Sequence, residues 1–120
     1  PVFIKISPDE DHSNLKNICN SIIENKIDGV ICSNTSVNHD YFGGQGGLSG
    51  APIRKTSTAC LIEVKSLVGD KIPIIASGGV MSVSDFEEKL EAGADYVQLY
   101  TGFIYEGPKL IKEIVNHCTE

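Results

Sequence analysis

Residues 74–102 read IIASGGVMSVSDFEEKLEAGADYVQLYTG, and the fold is decided in this stretch. Ile74-Ile75 leads an apolar run that stops at Ser77-Gly78-Gly79. Tyr96-Val97-Gln98-Leu99-Tyr100 repeats the event and stops at Thr101-Gly102. Each run reads as a strand that ends on small residues and hands over to a helix. Glycine lets the backbone approach a ligand closely and turn its N–H groups outward. A helix N-terminus behind such a turn adds partial positive charge, so the two turns together suit an anion, most often phosphate.

Working outward, the same alternation continues. Val2 to Ile6 has period two, with Val2, Ile4 and Ile6 on one face and Phe3, Lys5 and Ser7 on the other, before Pro8-Asp9 breaks it. From Ser13 the period changes, and Leu15, Ile18, Cys19, Ile22 and Ile23 form the stripe of a helix ending near Lys26. Residues 29–33 (GVICS) predict a second strand, followed by Asn34-Thr35. Residues 36–56 predict a long loop around GGQGGLSG (43–50), too glycine-rich to pack as an element. Cys60, Leu61, Val64, Leu67 and Val68 mark the next helix, stopped by Gly69, and a third strand is expected over 72–76. Ser84-x-x-Glu87 reads as a capping box opening a helix that Gly93 closes. The fourth strand is expected over 96–99. Pro108 then starts a helix with Leu110, Ile111, Ile114, Val115 and Cys118 on its apolar face.

The order β-α-β-α-β-α-β-α predicts an α/β fold with a parallel sheet and right-handed crossovers. Four such units can be half of an eight-unit barrel or a small open doubly wound sheet. In both, ligands gather beyond the carboxyl ends of the strands. The unusual polar and glycine residues fall at those ends: Ser7, Asn34-Thr35, Ser77 to Gly79 and Tyr100 to Gly102. One face therefore carries the site. In a barrel, two glycine turns after the last two strands form a phosphate cup.

Composition bounds what the site serves. The chain has 120 residues, 41% of them apolar and 22% charged, and a formal net charge of −6 without any Lys/Arg cluster. That is the composition of an ordinary soluble domain and argues against general nucleic-acid binding. It opens at Pro1, directly on a strand, which suggests a piece of a longer protein. Cys19, Cys32, Cys60 and Cys118 are widely spaced, without metal-ligand or redox spacing, and are expected as buried reduced thiols. His12, His39 and His117 are expected at the surface, and no catalytic triad or paired-carboxylate arrangement is visible. Lys5 within an apolar strand is either an edge-strand solubility device or, if buried, a cation needing an anionic or electron-rich partner. Asn34 and Thr35 either cap a turn or present donors and acceptors to a heterocycle.

VFIKISPD, GVICSNTS, GGLSGAPI, IPIIASGGV and VQLYTGFIYEGP, taken together and in this order, give the chain a specific resemblance. It resembles the C-terminal half of the dihydroorotate dehydrogenases, and in VQLYTGFIYEGP the quinone-reducing class 2. The resemblance implies four βα units of an FMN-containing (β/α)8 TIM barrel, over residues 1–120, that oxidises (S)-dihydroorotate to orotate in pyrimidine biosynthesis and passes electrons to a quinone. It implies FMN contacts at Lys5, Ser33, Gly50, Gly78, Gly79, Tyr100 and Thr101, with the last four at the phosphate. Asn34 and Thr35 would hold orotate. The catalytic base, a serine in class 2, belongs to the other half of the barrel, so no catalytic residue and no metal site is expected here. The same holds for the N-terminal helices that meet the membrane and guide the quinone. The parent protein is expected at the periphery of the inner membrane. By itself this piece is expected to be soluble and inactive, and to associate or rearrange toward a flavodoxin-like sheet. Ala51, where the family more often has a basic residue, and Ser7 and Ser36 depart from the pattern. The alternatives are a barrel isomerase or synthase with a sugar phosphate in the cup, or a non-catalytic phosphate-binding α/β module.

Overall fold

The computed structural model describes residues 1–119. Its elements are β1 (Phe3–Ile6), α1 (His12–Glu24), β2 (Gly29–Cys32), α2 (Arg54–Val68), β3 (Ile74–Ser77), α3 (Val83–Glu91), β4 (Tyr96–Gln98), α4 (Thr101–Glu106) and α5 (Pro108–Thr119). All strand pairs are parallel and the sheet order is β1-β2-β3-β4. Sequential order decides between the two sheets that the alternation left open. A doubly wound sheet reverses its strand order at a switch point, whereas a barrel adds each strand beside the last. The four units form an arc of a barrel, and the rearranged order considered above is not adopted.

The two faces of the arc differ as a barrel requires. Ile6, Val30, Cys32, Ile74 and Ala76 are at most 2% exposed and meet Leu15, Cys19 and Ile22 of α1 and Leu61, Val64 and Val68 of α2 in one core. The alternate residues, Phe3, Lys5, Tyr96 and Gln98 among them, point to the other face and are exposed. A second cluster of Val80, Leu110 and Ile114 anchors α5 below the last turn. Principal extents of 42 × 40 × 23 Å match one sheet under one layer of helices.

Two aspartates set the register of neighbouring strands by the same device. Asp28 accepts from the Val2 N–H through Oδ2 (2.6 Å) while its own N–H bonds the Val2 carbonyl (3.0 Å). Asp95 does the same to Ile74, at 2.8 and 2.9 Å. Both stand just before a strand, in IDGV and ADYV.

Some expectations are corrected. The cap of α3 is Ser82, whose Oγ accepts from the Asp85 N–H (3.2 Å), so the box is Ser82-x-x-Asp85 and not Ser84-x-x-Glu87. Glu87 pairs with His117 instead (2.8 Å). Cys19, Cys32 and Cys60 are buried, but Cys118 is exposed at the end of α5. Burial pushes the Cys19 thiol above its ordinary pKa. A hydrogen bond with Cys60, together with burial, does the same to Cys32. The 36–56 loop is more ordered than its glycines suggest. Ser36 and Leu48 bridge through two backbone bonds (3.0 and 2.7 Å), short 3-10 turns occupy Tyr41–Gly44 and Ala51–Ile53, and α2 already begins at Arg54.

Candidate functional site

One cleft lies at the carboxyl ends of the strands. It is lined by Lys5 from β1, Ser33, Asn34 and Thr35 after β2, Gly50 from the glycine loop, Gly78 and Gly79 after β3, and Tyr100 and Thr101 after β4. All nine residues singled out in the sequence thus converge on one place. Ser77 and Gly102, read as strand-end residues, line it too. Ser49 and Gln98 join them without having been singled out, and Ser7 is not among the lining residues. The cleft encloses about 70 Å³, room for a small anion or a few waters and not for a whole cofactor. A larger ligand would extend from the cup across the exposed inner face of the sheet.

The cup owes its shape to missing side chains. A Cβ on Gly79 would lie 2.4 Å from Arg54 Cα, and one on Gly102 would lie 2.1 Å from the Val80 carbonyl oxygen. Gly78 and Gly79 hold φ of 113° and 79°, a region that glycine adopts without strain. Nothing but glycine fits these positions, so the two backbones come close together and expose their N–H groups. The Gly79 N–H makes no hydrogen bond within the described residues. That is the condition of a group held ready for an anion.

The loops that close the cleft are tied down by polar contacts. Thr101 Oγ1 donates to Ser49 Oγ (2.9 Å), which brings the glycine loop to the β4 turn. Asp9 accepts from Ser36 Oγ (2.6 Å) and from the Val37 N–H (2.7 Å), fixing the chain after Asn34-Thr35 to the end of β1. Ser33 is 2% exposed and donates to the Asn34 carbonyl (3.0 Å). Asn34 and Tyr100, in contrast, are open to solvent. Lys5 is exposed, because β1 is an edge of this arc, so its ammonium is available to a ligand without the cost of burial.

Behind the cup sits a group that the sequence reading missed. Lys89 of α3 is fully buried, while its neighbour Leu90 is 41% exposed. Its Nζ donates to Ser57 Oγ (2.7 Å), Thr58 Oγ1 (2.6 Å) and, at 3.4 Å, the Arg54 carbonyl. Burial pushes the ammonium down to about 8; Glu88 and Asp85 pull it up again and Arg54 adds to the fall. Arg54 bridges Asp85 (2.9 Å) and Glu88 (3.0 Å). Burial works to raise the Asp85 carboxyl, but bonds from the Met81 N–H, Ser82 and Arg54 outweigh it and hold that group below its ordinary value.

With this geometry in view, the comparisons with known proteins are specific. The family model "Dihydroorotate dehydrogenase" matches residues 1–120. The chain belongs to the dihydroorotate dehydrogenase family. A relative from Pseudoalteromonas translucida, named dihydroorotate dehydrogenase (quinone), is 47% identical over 97% of this chain and 36% of its own length. One of the same name from Aliivibrio salmonicida is 47% identical over 98% of this chain and 37% of its own. These names agree with the class 2 reading of VQLYTGFIYEGP. Among solved structures, dihydroorotate dehydrogenase from Eimeria tenella in complex with ferulenol superposes with a TM-score of 0.89 at 32% identity. It covers 97% of this chain and 33% of that one. The chain therefore spans just over a third of the length of its curated relatives in the dihydroorotate dehydrogenase family, and corresponds to their C-terminal portion.

Proposed function

We propose that this chain is the FMN-phosphate and orotate-binding part of a quinone-dependent dihydroorotate dehydrogenase. The observation that supports this most is the convergence of Lys5, Asn34, Thr35, Gly50 and both glycine turns on one cleft, in a chain whose relatives carry that name. When bound, FMN supplies the hydride-accepting ring.

The residues present fit that group. The cup between Gly78-Gly79 and Tyr100-Thr101 has the size and the free N–H of a phosphate site, while Lys5 stands on the open inner face where a ring would lie. There the Lys5 ammonium stabilises negative charge on whatever ring adjoins it. Asn34 and Thr35, next to it at the end of β2, orient a planar substrate with amide edges such as orotate. Ser33 and Gly50, both buried, line the same cleft and would contact the flavin. The base that takes the substrate proton lies in the part of the barrel not represented in this chain, as does contact with the membrane and quinone. The 120-residue chain alone therefore does not turn over dihydroorotate.

The full-length protein is expected to purify yellow and, on denaturation, to release one equivalent of flavin with the mass of FMN. A colourless protein that cannot be loaded with FMN would overturn the proposal and favour a sugar phosphate in the cup. Lys5→Ala in that protein is expected to retain FMN less well and to be reduced more slowly by dihydroorotate; wild-type behaviour in both would remove Lys5 from the site.

A further inference from the structure

We propose that Lys89, through Ser57, is a positioning residue for the phosphate turn: it holds the Gly78 carbonyl into the core and so aims the Gly79 N–H at the anion. This rests on the reading that the cup holds FMN phosphate, and it concerns residues that touch no ligand.

Hydrogen-bond direction fixes the orientation of the turn. An ammonium has three donors and no acceptor. Ser57 Oγ, 2.7 Å from Lys89 Nζ, must therefore accept from it, which leaves the hydroxyl's single proton for a carbonyl. The nearer of its two carbonyls is that of Gly78, at 2.8 Å, against 3.0 Å for Arg54. Ser57 is wholly buried, so water does not compete. The 78–79 peptide is trans, and in a trans peptide the C=O and the following N–H point in opposite directions. Pinning the Gly78 carbonyl to Ser57 on the core side turns the Gly79 N–H to the cleft side, where it has no protein acceptor among the described residues. Two glycines in a row, both at positive φ, leave this peptide free to flip unless something holds it. Lys89 and Ser57 are that hold.

The same ammonium also donates to Thr58 Oγ1, which passes its proton to Glu88 Oε1 (2.6 Å) and does not touch the turn. This gives an internal control. Thr58→Val breaks the network without freeing the Gly78 carbonyl, whereas Ser57→Ala frees it.

The test is the ratio of affinities for FMN and riboflavin, two ligands that differ only in the phosphate, measured by fluorescence quenching on the flavin-depleted full-length protein. Ser57→Ala is expected to lower the FMN preference about tenfold, the worth of one hydrogen bond to a charged group, and to leave riboflavin binding where it was. Lys89→Met, if it folds, is expected to do the same, and Thr58→Val to keep the wild-type ratio. An unchanged ratio in Ser57→Ala, even with a lowered melting temperature, would overturn the positioning role and leave the network as packing only. So would an equal loss for Thr58→Val. A wild-type protein without any FMN preference would instead remove the phosphate reading itself, and this inference with it.

Discussion

At the scale of single residues, the site depends more on what is missing than on what is present. Gly79 combines a φ of 79° with a hypothetical Cβ only 2.4 Å from Arg54 Cα, a backbone atom that cannot swing away. Gly79→Ala is expected to cost at least about 2 kcal/mol from strain and overlap together. A urea midpoint equal to wild type would contradict the geometry of the cup. Lys89 makes a prediction in pH. Its ammonium is held at about 8 in the fold and returns to the ordinary lysine value on unfolding. Between those values the unfolded state binds the extra proton, so stability rises as pH climbs from about 8 to 10.5, by up to about 3 kcal/mol. Lys89→Met removes this rise. Parallel urea titrations of wild type and variant across that window, showing the same slope in both, would contradict the buried charge.

At the scale of elements, periodicity and breakers were enough to read the strands and four of the five helices. The short α4 (Thr101–Glu106), cut off from α5 by Gly107, was not read as an element of its own, and chain pattern was not enough for the polar fastenings. The apolar runs at 29–33 and 74–77 announce strands because nothing else packs a β-branched run between turns. Lys89 was unreadable for the opposite reason. EEKLE looks like a solvated face, and only the approach of α2 reveals that position 89, spaced with Asp85 and Phe86, is the inward one. Ser84-x-x-Glu87 misled in the same way, since Ser82-x-x-Asp85 lies two residues upstream and satisfies the same spacing rule. Asp95 carries no periodic or capping signal, although it repeats on β3 the clamp that Asp28 makes on the strand before β2. Asp95→Ala strands the Ile74 N–H and is expected to cost about 1–3 kcal/mol. A chemical-denaturation midpoint within error of wild type would show that the clamp adds nothing to the β3–β4 pairing.

At the scale of the whole molecule, the arc has one finished side and one open side. The helix-covered face is closed over β2 and β3, while Val2, Phe3 and Ile4 at the β1 edge and Tyr96 on the inner face remain 36 to 65% exposed. Tyr100, Ile104 and Tyr105 add an exposed apolar surface around α4. Such an edge and such patches are seldom left to water. The 120-residue chain, made alone, is expected to associate. Light scattering that gives a monomer, together with a cooperative melt, would contradict this. No helix among the described residues is long and apolar enough to cross a membrane. The proposed function comes down to whether the cleft at the strand ends serves the oxidation of dihydroorotate at a flavin. The most direct measurement is anaerobic addition of dihydroorotate to the full-length protein, followed at the visible absorbance of the flavin. Bleaching is expected, with colour restored by a quinone. A flavin that stays oxidised under excess dihydroorotate would contradict it.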